Sequence, residues 1–292
     1  MLSYEFMQRA LVAAVIVGLI APLVGVHLVQ RRLALLGDGM GHVALTGVGL
    51  ALLLGTAPLA TALVVALAGA VLIEFIRARS RAAADVALAL LFYGGIAGGV
   101  LLGSLSGGSS ASLNAFLFGS IATVTGSDVV VLLATAAVTA LALWLFGAEM
   151  LAVSIDADAA AINGVRVRAI STLLSMLSAV TVVIGMRTVG LLLVSAIMIV
   201  PVAAAQQVAT SFRATAAIAV GLGVMSSASG LVTGYYADVP PGPAIVLCAL
   251  VTFIIAATVR ARRTHRAITR NGEVVANDAA VQTSAAGSER HR

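Results

Sequence analysis

Residues 9–32, RALVAAVIVGLIAPLVGVHLVQRR, decide the fold. Residues 9–29 hold Arg9 and His27 as their only ionisable side chains, and Arg31-Arg32 follow the run directly. A helix needs roughly 20 mainly apolar residues to cross a hydrocarbon core about 30 Å thick. An arginine pair at its end marks a cytoplasmic flank. The segment carries no signal-peptide cleavage pattern, so it reads as a mature spanning helix.

The same pattern recurs along the chain. Further apolar segments occupy 34–54, 58–76, 84–104, 127–146, 167–187, 189–208, 214–234 and 243–259, nine in all. Arginines follow the odd-numbered ones: Arg77, Arg79 and Arg81 the third, Arg166 and Arg168 the fifth, Arg213 the seventh. Arg260, Arg262, Arg263, Arg266 and Arg270 follow the ninth. Only Arg9 and Arg187 break the alternation. The pattern predicts an external N-terminus, a cytoplasmic C-terminus and an odd number of crossings, so nine is preferred within a range of eight to ten. The boundary between 167–187 and 189–208 is the least defined, because Gly190 reads equally as a hinge or a kink inside one helix.

Composition agrees. Of 292 residues 61% are hydrophobic and 10% charged, with mean hydropathy +1.10, against about 25% charged in a soluble domain. A soluble enzyme, a nucleic-acid module and a disordered chain are excluded. Cys248 is the one cysteine, so no disulfide framework or CxxC site exists. All 17 basic residues are Arg, and the net charge of +5 reports orientation rather than nucleic-acid affinity. The fold expected is an all-α polytopic bundle over residues 1–263, followed by a disordered tail over 264–292. Residues 105–126, LSGGSSASLNAFLFGSIATVTG, are too broken for a span. A short re-entrant segment at the outer face is expected there, over about 111–124.

Polar groups inside spans are costly, about 2.5–3.5 kcal/mol each at a helix centre. The main cluster is Leu36-Gly37-Asp38-Gly39-Met40-Gly41-His42. Asp38 and His42 share one helix face a turn apart, and a carboxylate with an imidazole can hold a first-row divalent cation. Two ligands do not close a site, so others must come from another helix, a symmetry mate or water. The competing reading makes Asp38 a helix cap and His42 an interhelical hydrogen-bonding group. The interleaved glycines permit either close helix approach or an unwound turn. His27 reads as a packing histidine, and Glu74 as an ion-pair partner of Arg77 three residues on.

Gly94, Gly95, Gly98 and Gly99 form two overlapping GxxxG pairs, a close-contact face for another helix. Pro201 should kink the run LLLVSAIMIVPVAAAQQ, where Ser195 and Met198 line either a path or the core. In residues 149–166, EMLAVSIDADAAAINGVR, Asp156 and Asp158 open a short helix that Asn163-Gly164 ends. That helix, over about 154–165, would present an apolar knob on the cytoplasmic face. GxxxxGK[ST], HExxH and GxSxG are absent, so the chain has no P-loop or hydrolase signature of its own.

These residues resemble the permease subunits of zinc/manganese ABC importers. Residues 25–47, GVHLVQRRLALLGDGMGHVALTG, are similar to that family's Arg-rich, Gly-Asp and His-containing stretch. Phe116–Ser120 followed by Thr125–Asp128 is similar to its Leu-Phe-Gly element and Thr/Ser-x-x-Asp step. Asp156, Ala160, Gly164 and Val165 match its cytoplasmic coupling pattern. Gly190–Pro201 and Pro240-Pro241-Gly242-Pro243 resemble two later elements. Gly41 stands where the family commonly has Ser or a similar small residue, and Val43 follows His42. The resemblance implies a type II ABC-importer permease, two copies around a central pathway in the inner membrane. It implies a separate cytoplasmic ATPase dimer that binds ATP, and an extracytoplasmic metal-binding protein outside. Zn²⁺ or Mn²⁺ would be cargo passing Asp38 and His42, with no permanently bound cofactor and no nucleic-acid partner. A type II permease for chelated iron or another large substrate, and a stand-alone secondary carrier, are the alternatives.

Overall fold

The computed structural model describes residues 4–79, 83–107, 116–119, 124–186 and 189–262. These are helical, with no strand among them. The helices are α1 (Glu5–Gln30), α2 (Ala34–Leu54), α3 (Pro58–Arg77), α4 (Ala83–Leu105), α5 (Gly126–Ile155), α6 (Ala157–Ile162), α7 (Val167–Gly185), α8 (Leu191–Gln206) and α9 (Phe212–Ala237). The last, α10, runs over Pro241–Arg262. Eight are long and apolar enough to cross a membrane. Helix α8 has 16 residues, about 24 Å at 1.5 Å per residue. It is short for a span, but Leu191, Val194, Ile197, Met198 and Val202 are almost wholly buried. The chain is therefore an all-α, multi-pass membrane bundle of about nine apolar helices.

Helices α1, α2 and α7 form its interior. In α1 and α2 the most apolar window is 67% buried and in α7 61%, against 11% in α5 and 22% in α4 and α10. The outer helices instead expose large apolar side chains such as Trp144, Leu90 and Ile254, which is the surface a bilayer solvates. Close contacts run through small residues. A Cβ on Gly25 of α1 would lie 1.8 Å from the Met198 carbonyl oxygen of α8, and one on Gly47 of α2 would lie 2.5 Å from Ala62 Cα of α3. Gly18 of α1 and Gly223 of α9 touch backbone to backbone.

The glycine face of α4 divides. A Cβ on Gly95 would meet the His42 carbonyl carbon at 2.6 Å, and Cβ atoms on Gly98 and Gly99 would press on Thr46 and Leu45. Gly94 faces open space. Three of the four glycines thus set α4 against α2, and Thr46 Oγ1 donates to the Gly95 carbonyl at 2.8 Å across the same seam.

The structure decides one boundary that the sequence left open and extends another. Gly190 has φ +97°, so α7 and α8 are two separate helices rather than one kinked span. Pro201 lies inside α8, which continues to Gln206. Helix α5 has 30 residues and runs nine past the apolar segment at 127–146. Its length, about 45 Å, carries it beyond a hydrocarbon core. The helix continues past residue 146, where the apolar segment ends, and Met150 and Val153 in the extension are buried. Most of the expected re-entrant segment and the whole tail from Thr264 lie outside the described residues.

Because Gly95 has backbone beside it and Gly94 has none, Gly95→Val should lower the yield of monodisperse, detergent-stable protein. Forcing atoms into a packed seam costs about 1–3 kcal/mol or more. Gly94→Val should leave it unchanged. Fluorescence-detected size-exclusion chromatography of a tagged chain reads both.

Candidate functional site

The chain turns from α1 into α2 within Arg31–Leu33, with Arg32 in the left-handed region at φ +58°. The Leu33 N–H donates to the Leu28 carbonyl at 2.8 Å and closes the turn. Leu33 is the N-cap of α2. Asp38 therefore stands a full turn inside the helix, which removes the capping reading of its carboxylate. The helix is continuous from Ala34 to Leu54, so the interleaved glycines serve close approach and not an unwound turn. A Cβ on Gly37 would sit 3.2 Å from the Met198 sulfur, and one on Gly41 3.3 Å from Leu191. A Cβ on Gly39 would face Leu91 of α4 at 3.7 Å.

Held this way, Asp38 Oδ1 accepts a hydrogen bond from Ser195 Oγ of α8 at 3.2 Å. His42 Nε2 lies 3.9 Å from the same Oδ1. The imidazole is buried, its ring edge-on to Phe92 of α4 at 4.4 Å between centroids. Its Nδ1 has no hydrogen-bond partner among the described residues. The Asp38 side chain keeps 31% of its exposure and the His42 side chain 7%, so the pair is reached from the carboxylate side.

Ligand atoms about 2.0–2.2 Å from one ion stand roughly 3 Å apart when they bind it side by side. Small rotations of Asp38 and His42 would bring both within reach of one cation, while Ser195 bonds the same Oδ1 that faces the imidazole. Among the described residues no group of three or more His, Cys, Asp or Glu side chains gathers. The pair alone is two potential ligands, accessible on the carboxylate side. His27 does not join it; its ring packs on Phe212 at 5.1 Å.

The short acidic helix expected near 154–165 is α6, confined to Ala157–Ile162. Asp156 is its N-cap, its carboxylate accepting from the N–H groups of Asp158 and Ala159 at 3.0 Å each. Gly164, at φ +85°, ends the helix, and the Val165 N–H returns to the Ala160 carbonyl at 3.0 Å. Ala160 points inward and is 4% exposed, whereas Ile162 is 87% exposed. The outward apolar residue is thus Ile162, which the sequence reading did not single out. A 3.6-residue phase from buried Ala160 would have placed it outside.

Beside α6, Glu74 of α3 accepts from Arg77, as the spacing predicted, and also from Ser175 Oγ of α7 at 2.7 Å. Arg31, at the end of α1, donates to Ser171 Oγ of α7 at 2.8 Å. At the opposite end of the bundle, Thr125 and Asp128 form a reciprocal capping box on α5. There a Cβ on Gly190 would lie 2.4 Å from the Phe118 carbonyl carbon, and one on Gly242 2.8 Å from the Phe118 carbonyl oxygen. Three separate motifs of the sequence meet at that point.

The fold is that of a multi-pass membrane protein with an acidic–imidazole pair inside it, and comparison with known proteins gives its family. Residues 3–260 match the model of the ABC 3 transport family, and the chain belongs to that family. A "Probable metal transport system membrane protein" of Treponema pallidum is 36% identical over 257 residues, 87% of this chain and 96% of the relative. The manganese transport system membrane protein MntC of Halalkalibacterium halodurans is 32% identical over 256 residues, 88% of each. PsaBC from Streptococcus pneumoniae, solved in complex with Fab, superposes with a TM-score of 0.78 at 32% identity, covering 87% of this chain and 91% of that one. An inward-facing ABC transporter described as of metal-chelate type superposes at 0.66 with 16% identity over 86% of this chain and 85% of that one, a likeness of fold alone.

Asp156→Ala removes the cap of α6, a loss of about 0.5–2 kcal/mol. In a helix of six residues that should be enough to fray it. Limited proteolysis should then cut within 156–165 faster than in the native chain, with the bundle otherwise intact.

Proposed function

We propose that the chain is the membrane-spanning permease subunit of an ATP-driven importer for a divalent transition metal, Mn²⁺ or Zn²⁺. The observation that carries this reading is the Asp38–His42 pair on α2, its carboxylate held by Ser195. A hard carboxylate and a borderline imidazole suit a first-row divalent ion, with carboxylate leaning toward Mn²⁺ and imidazole toward Zn²⁺. The names of the manganese-transport relatives lean the same way as the carboxylate. The metal-chelate transporter shares the fold, so the site and not the architecture argues against a large chelated substrate.

In this reading two copies face each other, and each supplies one half-site to a shared pathway. The other ligands come from the second copy and from water. A separate ATPase dimer docks at the cytoplasmic face on α6, meeting exposed Ile162, while the inward Ala160 and the Gly164–Val165 turn seat α6 on the bundle. ATP binding moves α6, and alternating access passes the ion inward from an extracytoplasmic metal-binding protein. The arginine alternation sets the N-terminus outside and the C-terminus in the cytoplasm.

Radiometal accumulation in an importer-deficient host, with the cognate ATPase and binding protein, tests the function. Asp38→Ala and His42→Ala should each abolish ATPase-dependent uptake at native expression. Ser195→Ala, which removes one hydrogen bond to a charged group worth about 1.5–3 kcal/mol, should raise the half-saturating metal concentration about tenfold or more. Native uptake in the Asp38 and His42 variants would overturn the site, and uptake without the ATPase would overturn the class.

Orientation has its own measurement. A reporter fused after Arg262 should read as cytoplasmic, and an external signal would reverse the topology.

A further inference from the structure

A cleft of about 690 Å³ opens between α3, α6 and α7, near the end of α1. Arg31, Arg77, Arg79 and Arg168 line it, against the carboxylates Glu74 and Asp158. Arg77 is engaged by Glu74 and Arg31 by Ser171. Arg79 and Arg168 are exposed and have no carboxylate partner among the described residues. The Arg79 guanidinium lies over the Phe75 ring, 4.2 Å from its centroid, which fixes the cation at the cleft mouth. The cleft therefore carries a surplus of two positive charges where α3 ends.

Its other wall is apolar. Val71 and Phe75 line the cleft and continue a stripe on α3 made by Val64, Val71, Leu72 and Phe75, exposed by 67%, 49%, 54% and 55%. Spacings of seven, eight and eleven residues put all four on one helix face. Among the described residues nothing covers that face, which ends at the arginines. A cationic mouth at the end of a lipid-facing stripe fits a molecule with an anionic head and an apolar tail.

We propose that this cleft binds an anionic phospholipid of the cytoplasmic leaflet, with Arg79 and Arg168 on the phosphate and an acyl chain along α3. Basic pockets between helices on the cytoplasmic side are where such headgroups bind. Ala157, Asp158 and Ala161 of α6 also line the cleft, so the headgroup touches the flank of α6. Ile162 is not in the lining, so the cleft and the outermost apolar residue of α6 are separate parts of that helix. The site makes the position of α6 sensitive to the composition of the inner leaflet. It rests on the cytoplasmic placement of α6, which the fusion after Arg262 reads independently.

The test is native mass spectrometry of the permease, with and without its ATPase, from nanodiscs of phosphatidylcholine with phosphatidylglycerol. Native chain is compared with the Arg79→Gln/Arg168→Gln and Arg79→Lys/Arg168→Lys variants. Phosphatidylglycerol should be retained over phosphatidylcholine, retention should fall about fivefold for each arginine neutralised, and the lysine pair should restore most of it. Both positions are exposed, so folding is unaffected, and retention needs no metal transport to be read. Equal retention in native and glutamine chains would overturn the proposal. Displacement by inorganic phosphate alone would assign the cleft to a soluble anion, and displacement by the ATPase would assign it to protein; either result overturns the lipid.

Discussion

A carboxylate and an imidazole one helical turn apart persist inside an apolar bundle only if the helix bearing them is enclosed and the carboxylate is held. Both conditions trace to the glycines of α2 and to those facing it. Gly37 and Gly41 admit α8, Gly47 admits α3, and Gly95 and Gly99 of α4 come onto the α2 backbone around His42 and Leu45. Without those approaches Ser195 would not reach Asp38, and Phe92 would not reach the imidazole. The site is a consequence of backbone proximity first and of polar chemistry second.

Helix number and the identity of the polar pair were legible because both are local signals. Apolar runs of span length and the arginines after them are read residue by residue, and Asp38 and His42 stand out as ionisable groups among leucines and glycines. The ends of elements were harder. The apolar segment ends at 146, but α5 goes on because Met150 and Val153 find burial that no local pattern announces. Gly190 could be a kink or a break until its φ of +97° decides for a break. The side chains that hold the pair, Ser195 and Phe92, come from helices far along the chain. Ser195 was visible as a polar residue in an apolar run, but its partner was not.

The pattern around Asp156 illustrates a subtler gap. The residues that resemble a coupling element, Ala160, Gly164 and Val165, turn out to be those that fold α6 and seat it against the bundle. The residue turned outward is Ile162, which the motif does not mark. A motif can record what shapes an element while leaving unmarked the side chain that the element presents.

The meeting of Phe118–Gly119, Gly190 and Gly242 divides the bundle mechanically. There the chain touches itself main chain to main chain, and main chain has no rotamers through which to yield. The far end, where Arg31, Glu74, Arg77, Ser171 and Ser175 join α1, α3 and α7, is tied by long side chains that can swing and re-form their bonds. A force applied at α6 would enter through the end tied by side chains and would meet resistance at the end where main chain rests on main chain.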